Sequence, residues 1–153
     1  MNFEFATATR IVFGAGVLRE VGARAKEFGH RALVVTGRDT HRAEPLLAAL
    51  RHDGVTGLTF SVFGEPEIET IEQGIKQARH QRCEMVIGFG GGSALDAGKA
   101  IAAMLSNNGE LLDYLEVIGR GRTITRPSAS LIAISTTAGT GSEVTCNAVL
   151  AFV

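Results

Sequence analysis

The residues best placed to do chemistry form one stretch of this 153-residue chain, Gly88-Phe89-Gly90-Gly91-Gly92-Ser93-Ala94-Leu95-Asp96-Ala97-Gly98-Lys99. It follows an apolar run and opens a helical pattern. At such a junction free backbone N–H groups and the helix dipole can hold a phosphate. Three consecutive glycines each weaken local order by roughly 0.5–1 kcal/mol relative to alanine, so a plain turn is a poor reason for them. The dinucleotide fingerprint G-x-G-x-x-G is not met, because Ser93 stands at its third glycine. A Walker A loop fails too: the spacing before Gly98-Lys99 is one residue too long, and Ala100 replaces the Ser or Thr. A structural reading competes for the same residues. Ser93 and Asp96 have capping-box spacing, and Ala97, Gly98 and Ala100 suit close helix packing. Lys99, one turn into the helix, ranks below the glycines, since such lysines are ordinarily solvated.

A second polar segment is Ser135-Thr136-Thr137-Ala138-Gly139-Thr140-Gly141-Ser142-Glu143-Val144-Thr145, directly after a β-prone run. Its hydroxyls and amides fit either a ligand contact at the carboxyl edge of a sheet or a polar turn with Ser/Thr caps. Both segments follow apolar strand patterns, so both are expected on one sheet edge.

The elements that must position them alternate. Strand patterns are read at 10–13, 31–36, 58–63, 84–89 and 131–135, and residues 148–153 begin another. Helical spacing covers 17–28 (Leu18, Val21, Ala25, Phe28), 45–50, 67–80 (Ile68, Ile71, Ile75, Ala78) and 93–105. The continuously apolar Ala32-Leu33-Val34-Val35 and Met85-Val86-Ile87 suit strands buried on both faces. The expected fold is α/β, a doubly wound, mostly parallel, Rossmann-like sheet forming one dinucleotide-binding domain over residues 1–153. Residues 107–127 are expected to be a long surface excursion. The apolar ending Leu150-Ala151-Phe152-Val153 leads us to expect a chain cut within a strand.

Composition narrows the function classes. A formal net charge of −1 disfavours nucleic-acid binding, which needs a basic surface. Glycine is the outlier, 19 of 153 residues or about 12%, against a typical ~7%. Cys83 and Cys146 match no metal or redox spacing and are expected to be reduced thiols of a cytoplasmic protein. Residues 1–13 carry no signal-peptide pattern, and no stretch is long enough to cross a bilayer.

The run from Gly90 to Ala102 followed by Thr136-Thr137-Ala138-Gly139-Thr140-Gly141-Ser142-Glu143 resembles the iron-containing (group III) alcohol dehydrogenase family. Thr9 to Gly16 and Ala32 to Thr36 are similar to that family's first strands. The resemblance implies the nucleotide-binding N-terminal domain of an NAD(P)-dependent, metal-dependent enzyme interconverting an alcohol with an aldehyde or ketone, and it implies a homodimer. It implies that Gly91, Gly92 and Ser93 hold the cofactor pyrophosphate, that Asp96 lies near the nicotinamide, and that Thr136, Thr137 and Thr140 contact the cofactor. Fe2+ or another divalent metal is expected only in a C-terminal helical domain beyond this chain. His30, His41, His52 and His80 form no close pair and are expected on helices or their edges, facing solvent. Two alternatives stand beside this. One is a maleylacetate reductase-like enzyme, although Asp96 and the Thr-Thr-Ala-Gly-Thr segment keep the alcohol dehydrogenase form. The other is a non-catalytic nucleotide- or sugar-phosphate-binding module.

NAD-preferring members of the family usually have an acidic residue after the second strand's Val-Thr. Here Gly37 stands there, followed by Arg38. A carboxylate repels a ribose 2′-phosphate, whereas glycine makes room and arginine can pair with it, so the expectation leans to NADP over NAD. In the competing arrangement Arg38 points to solvent and Asp39 takes the ribose.

Overall fold

A computed structural model describes residues 10–152; Thr9 and Val153, named above, lie outside them, as do the other residues of 1–9. In chain order the elements are α1 (Val21–Lys26), β1 (Arg31–Thr36), α2 (Glu44–His52), β2 (Thr56–Ser61), α3 (Ile68–His80), β3 (Met85–Gly90), α4 (Gly92–Ser106), α5 (Leu111–Tyr114) and β4 (Ser130–Ser135). Short 3-10 turns at Val17–Glu20 and Thr40–Ala43 lead into α1 and α2. The four strands form one parallel sheet in the order β2-β1-β3-β4.

Period-two alternation in the central strands explains why helices cover both faces. Leu33, Val35 and Val86 pack with Ile71 and Ile75 of α3 and Ile101 of α4. Ala32, Val34, Met85 and Ile87 pack on the other face with Val21 of α1 and Leu46 and Leu50 of α2. All six residues of β3 are buried, as the apolar run predicts. The doubly wound α/β expectation therefore holds.

Two close helix contacts rest on glycine. A Cβ on Gly98 of α4 would lie 3.4 Å from the Gly88 Cα of β3, which draws this helix onto the sheet. A Cβ on Gly22 of α1 would overlap the Ala49 carbonyl of α2. Gly22→Ala is therefore expected to lower stability by about 1–3 kcal/mol despite alanine's better helix propensity. Thermal unfolding would read this as a Tm lower by roughly 2–10 °C.

Several boundaries differ from expectation. Residues 10–13 form no strand, and Phe13 is 99% exposed. The first helix begins as a 3-10 turn and stops at Lys26, leaving Phe28 half-exposed. The second strand runs Thr56–Ser61, two residues earlier than its apolar pattern, so Phe63 falls in the following loop. The excursion at 107–127 contains α5. Its turn is closed by a capping box between Glu110 and Asp113, and Arg120 and Arg122 both pair with the buried Asp113 carboxylate. Residues 148–152 add no strand, only an isolated parallel bridge between Glu67 and Ala151. All four histidines are exposed, with His30 at the entry to β1 rather than on a helix.

Candidate functional site

The sheet register brings the two polar segments together. Thr36 of β1 is level with Phe89 of β3, and Gly90 of β3 is level with Ser135 of β4. The loops leaving these three strands therefore stand side by side at the carboxyl edge, where doubly wound sheets bind ligands. The Thr136 amide donates to the Gly90 carbonyl at 2.8 Å, tying the second loop to the first.

The glycine loop is built for close approach. A Cβ on Gly90 would meet the Ala94 Cβ at 2.8 Å and the Gly37 amide nitrogen at 3.6 Å. A Cβ on Gly91 would lie 3.3 Å from Thr137 Oγ1, and one on Gly92 would lie 3.3 Å from Ser142 Oγ and 3.7 Å from Thr140 Cγ2. Gly91 is the N-cap of α4, a 15-residue helix whose start has no side-chain cap. Ser93 is inside the helix, so the capping box with Asp96 does not form. The first-turn amides are left for an anion or for water. In the facing loop Gly139 has φ +98°, a left-handed turn that glycine adopts readily. Ser135 Oγ donates to the Thr137 carbonyl at 2.7 Å and helps hold that turn.

Asp96 faces Lys99 one turn later at 3.0 Å, both side chains only about a tenth exposed (12% and 9%). Lys99 Nζ also donates to Thr145 Oγ1 and the Asn147 carbonyl, each at 2.9 Å. The solvated lysine expected at this position is instead a buried tie between α4 and the chain after the second loop. The signal available in sequence was the Asp-x-x-Lys spacing, which puts the two on one helix face.

At the end of β1, Gly37 has no atom within 4 Å of where a Cβ would be, and its φ is not left-handed. Neither the backbone nor the packing requires glycine there. Arg38 is exposed, with its Cζ 5.8 Å from the centre of the Phe63 ring. Asp39 caps the following 3-10 turn, its Oδ1 accepting from the His41 amide at 3.1 Å.

Among the described residues no group of three or more His, Cys, Asp or Glu is placed to hold a metal ion. Burial pushes the Cys83 thiol up from its ordinary pKa, and Cys146 is exposed. No helix of the described residues is long and apolar enough to cross a membrane.

Comparison with known proteins decides the family. Residues 8–152 match the sequence profile of the iron-containing alcohol dehydrogenases. The chain belongs to that family. An NAD-dependent methanol dehydrogenase of Bacillus methanolicus is 33% identical, over 91% of this chain and 37% of its own length. A sulfoacetaldehyde reductase of Bilophila wadsworthia is 35% identical, over 99% of this chain and 39% of its own. Among solved structures, a 1,3-propanediol oxidoreductase superposes with a TM-score of 0.87 at 30% identity, over 95% of this chain and 38% of that one. A sulfoacetaldehyde reductase from Bifidobacterium kashiwanohense in complex with NAD+ gives 0.84 at 33%, over 95% and 39%. The chain thus spans about two fifths of the length of the curated relatives it matches.

Proposed function

We propose that this chain is the nucleotide-binding part of an NAD(P)-dependent oxidoreductase that interconverts an alcohol with an aldehyde or ketone, with NADP the favoured cofactor. The observation that carries the reading is the abutment of residues 90–92 against residues 136–142 at the carboxyl edge of the sheet. In this reading Gly91, Gly92 and Ser93 hold the pyrophosphate on the uncapped start of α4. Thr136, Thr137 and Thr140 line the cofactor from the facing loop. Asp96, oriented by Lys99, borders the nicotinamide end. The nicotinamide, when bound, supplies the hydride carrier. The residues of this chain bind it and orient it, and a catalytic divalent metal would be held by residues outside these 153.

The NADP preference is supported by three features of the β1 end. Gly37 leaves open space, Arg38 is solvent-accessible, and Asp39 Oδ1 is engaged in capping the next turn. A cytoplasmic homodimer belongs to the same reading and rests on the sequence and the resemblance.

Thermal shift with NADP+, NAD+ and a sugar phosphate tests it. NADP+ at about 100 times its Kd is expected to stabilise the protein by roughly 2.7 kcal/mol, with NAD+ weaker at equal concentration. Stabilisation by the sugar phosphate alone would overturn the dehydrogenase reading in favour of a simple phosphate-binding module.

A further inference from the structure

Resting on the NADP reading above, we propose that Phe63 is a positioning residue for the adenosine 2′-phosphate, its ring holding the Arg38 guanidinium beside the space left by Gly37. The placement follows from the backbone. The Val62 amide donates to the Thr36 carbonyl at 2.8 Å, fastening the end of β2 to the end of β1. Residue 63 is thereby set next to residues 37 and 38. Val62 goes into the core at 3% exposure, whereas Phe63 is 61% exposed and belongs to neither hydrophobic cluster. The core therefore gives no reason for an aromatic ring at this position. Its described partner is Arg38, whose Cζ stands 5.8 Å from the ring centre, within the range of a cation–π contact. Among the described residues no carboxylate lies within salt-bridge distance of Arg38.

The chemistry suits a phosphate dianion. A guanidinium held over an aromatic face keeps its N–H edge free, and that edge matches two phosphate oxygens. Without the ring, a solvent-exposed arginine samples many rotamers and must be ordered when the phosphate arrives. Phe63 acts through Arg38 and not on the cofactor itself.

Titration calorimetry on the full-length protein, with NADP+, NAD+, 2′-AMP and 5′-AMP as probes, tests the role. Phe63→Leu is expected to reduce the preference for NADP+ over NAD+, and for 2′-AMP over 5′-AMP, by about two- to fivefold. Phe63→Tyr, which keeps the ring face, is expected to retain the wild-type ratio. Arg38→Ala is expected to reduce the ratio further, and adding Phe63→Leu to it should change nothing more. Equal weakening of NADP+ and NAD+ by Phe63→Leu would overturn the inference, because the ring would then be serving the adenine. So would an unmoved ratio in Phe63→Leu while Arg38→Ala lowers it. A ratio unmoved by Arg38→Ala would instead overturn the underlying 2′-phosphate reading.

Discussion

Gly91→Val is expected to weaken binding of both NADP+ and NAD+ at least about 100-fold. The estimate follows from losing two or more charge-assisted hydrogen bonds, each contributing about 1.5–3 kcal/mol. The mechanism is steric and local. A bare Cβ at residue 91 already lies 3.3 Å from Thr137 Oγ1, so a valine side chain crowds the gap between the loops. That gap is where an anion would reach the first-turn amides of α4. The residue is an N-cap with φ −81° and ψ −173°, an extended conformation that valine also adopts. Secondary structure by circular dichroism should therefore be retained. Titration of cofactor fluorescence with NADPH and NADH measures the loss. Unchanged affinity would mean that the pyrophosphate lies elsewhere.

The second large effect is a switch of cofactor rather than a loss. Gly37→Asp is expected to move the NADP+ to NAD+ preference toward NAD+ by roughly 30- to 1,000-fold. Two like charges about 4 Å apart near a protein surface repel by up to ~4 kcal/mol, and half of that already gives the lower figure. The new carboxylate can also accept from the ribose hydroxyls of NAD+. No atom lies within 4 Å of the added Cβ, so the Tm should be nearly unchanged. This separates the electrostatic effect from any folding defect. Kd values for the two cofactors in the variant and the parent decide it, and an unmoved ratio would place the adenosine end away from β1.

Gly37 and Gly91 illustrate two kinds of legibility. Gly91 is readable from sequence because its context is local. An apolar run, three glycines and a helical pattern sit within one short stretch, and strand-loop-helix order alone places the loop at a sheet edge. Gly37 stands out only against the family's habit of an acidic residue there. What makes it informative is the open space around it, together with a φ that demands no glycine. Neither can be read from neighbouring residues in the chain.

Lys99 shows where local reasoning fails. One turn into a helix, a lysine is ordinarily solvated, yet Asp96 together with Thr145 and Asn147, the last two 46 and 48 residues further on, takes up its ammonium group. The excursion at 107–127 fails similarly. Its four-residue helix is too short to show periodicity, and it is held by Asp113 with Arg120 and Arg122. The strand expected at 148–153 is reduced, within the described residues, to a single bridge at Ala151. An apolar run becomes a strand only where a neighbouring edge accepts its hydrogen bonds along its length.

By itself, the sequence of this protein determined the alternation of strands and helices, the parallel α/β class and the position of both polar loops. Hydrophobic periodicity and glycine placement are local properties, and burial on two faces follows directly from continuous apolar strands. Only the tertiary structure decided the strand order β2-β1-β3-β4, the abutment of the two loops, the burial of Lys99 and the meeting of Arg38 with Phe63. Each of these joins residues far apart in the chain. They are set by register and by the packing of whole elements, which no short window of sequence contains.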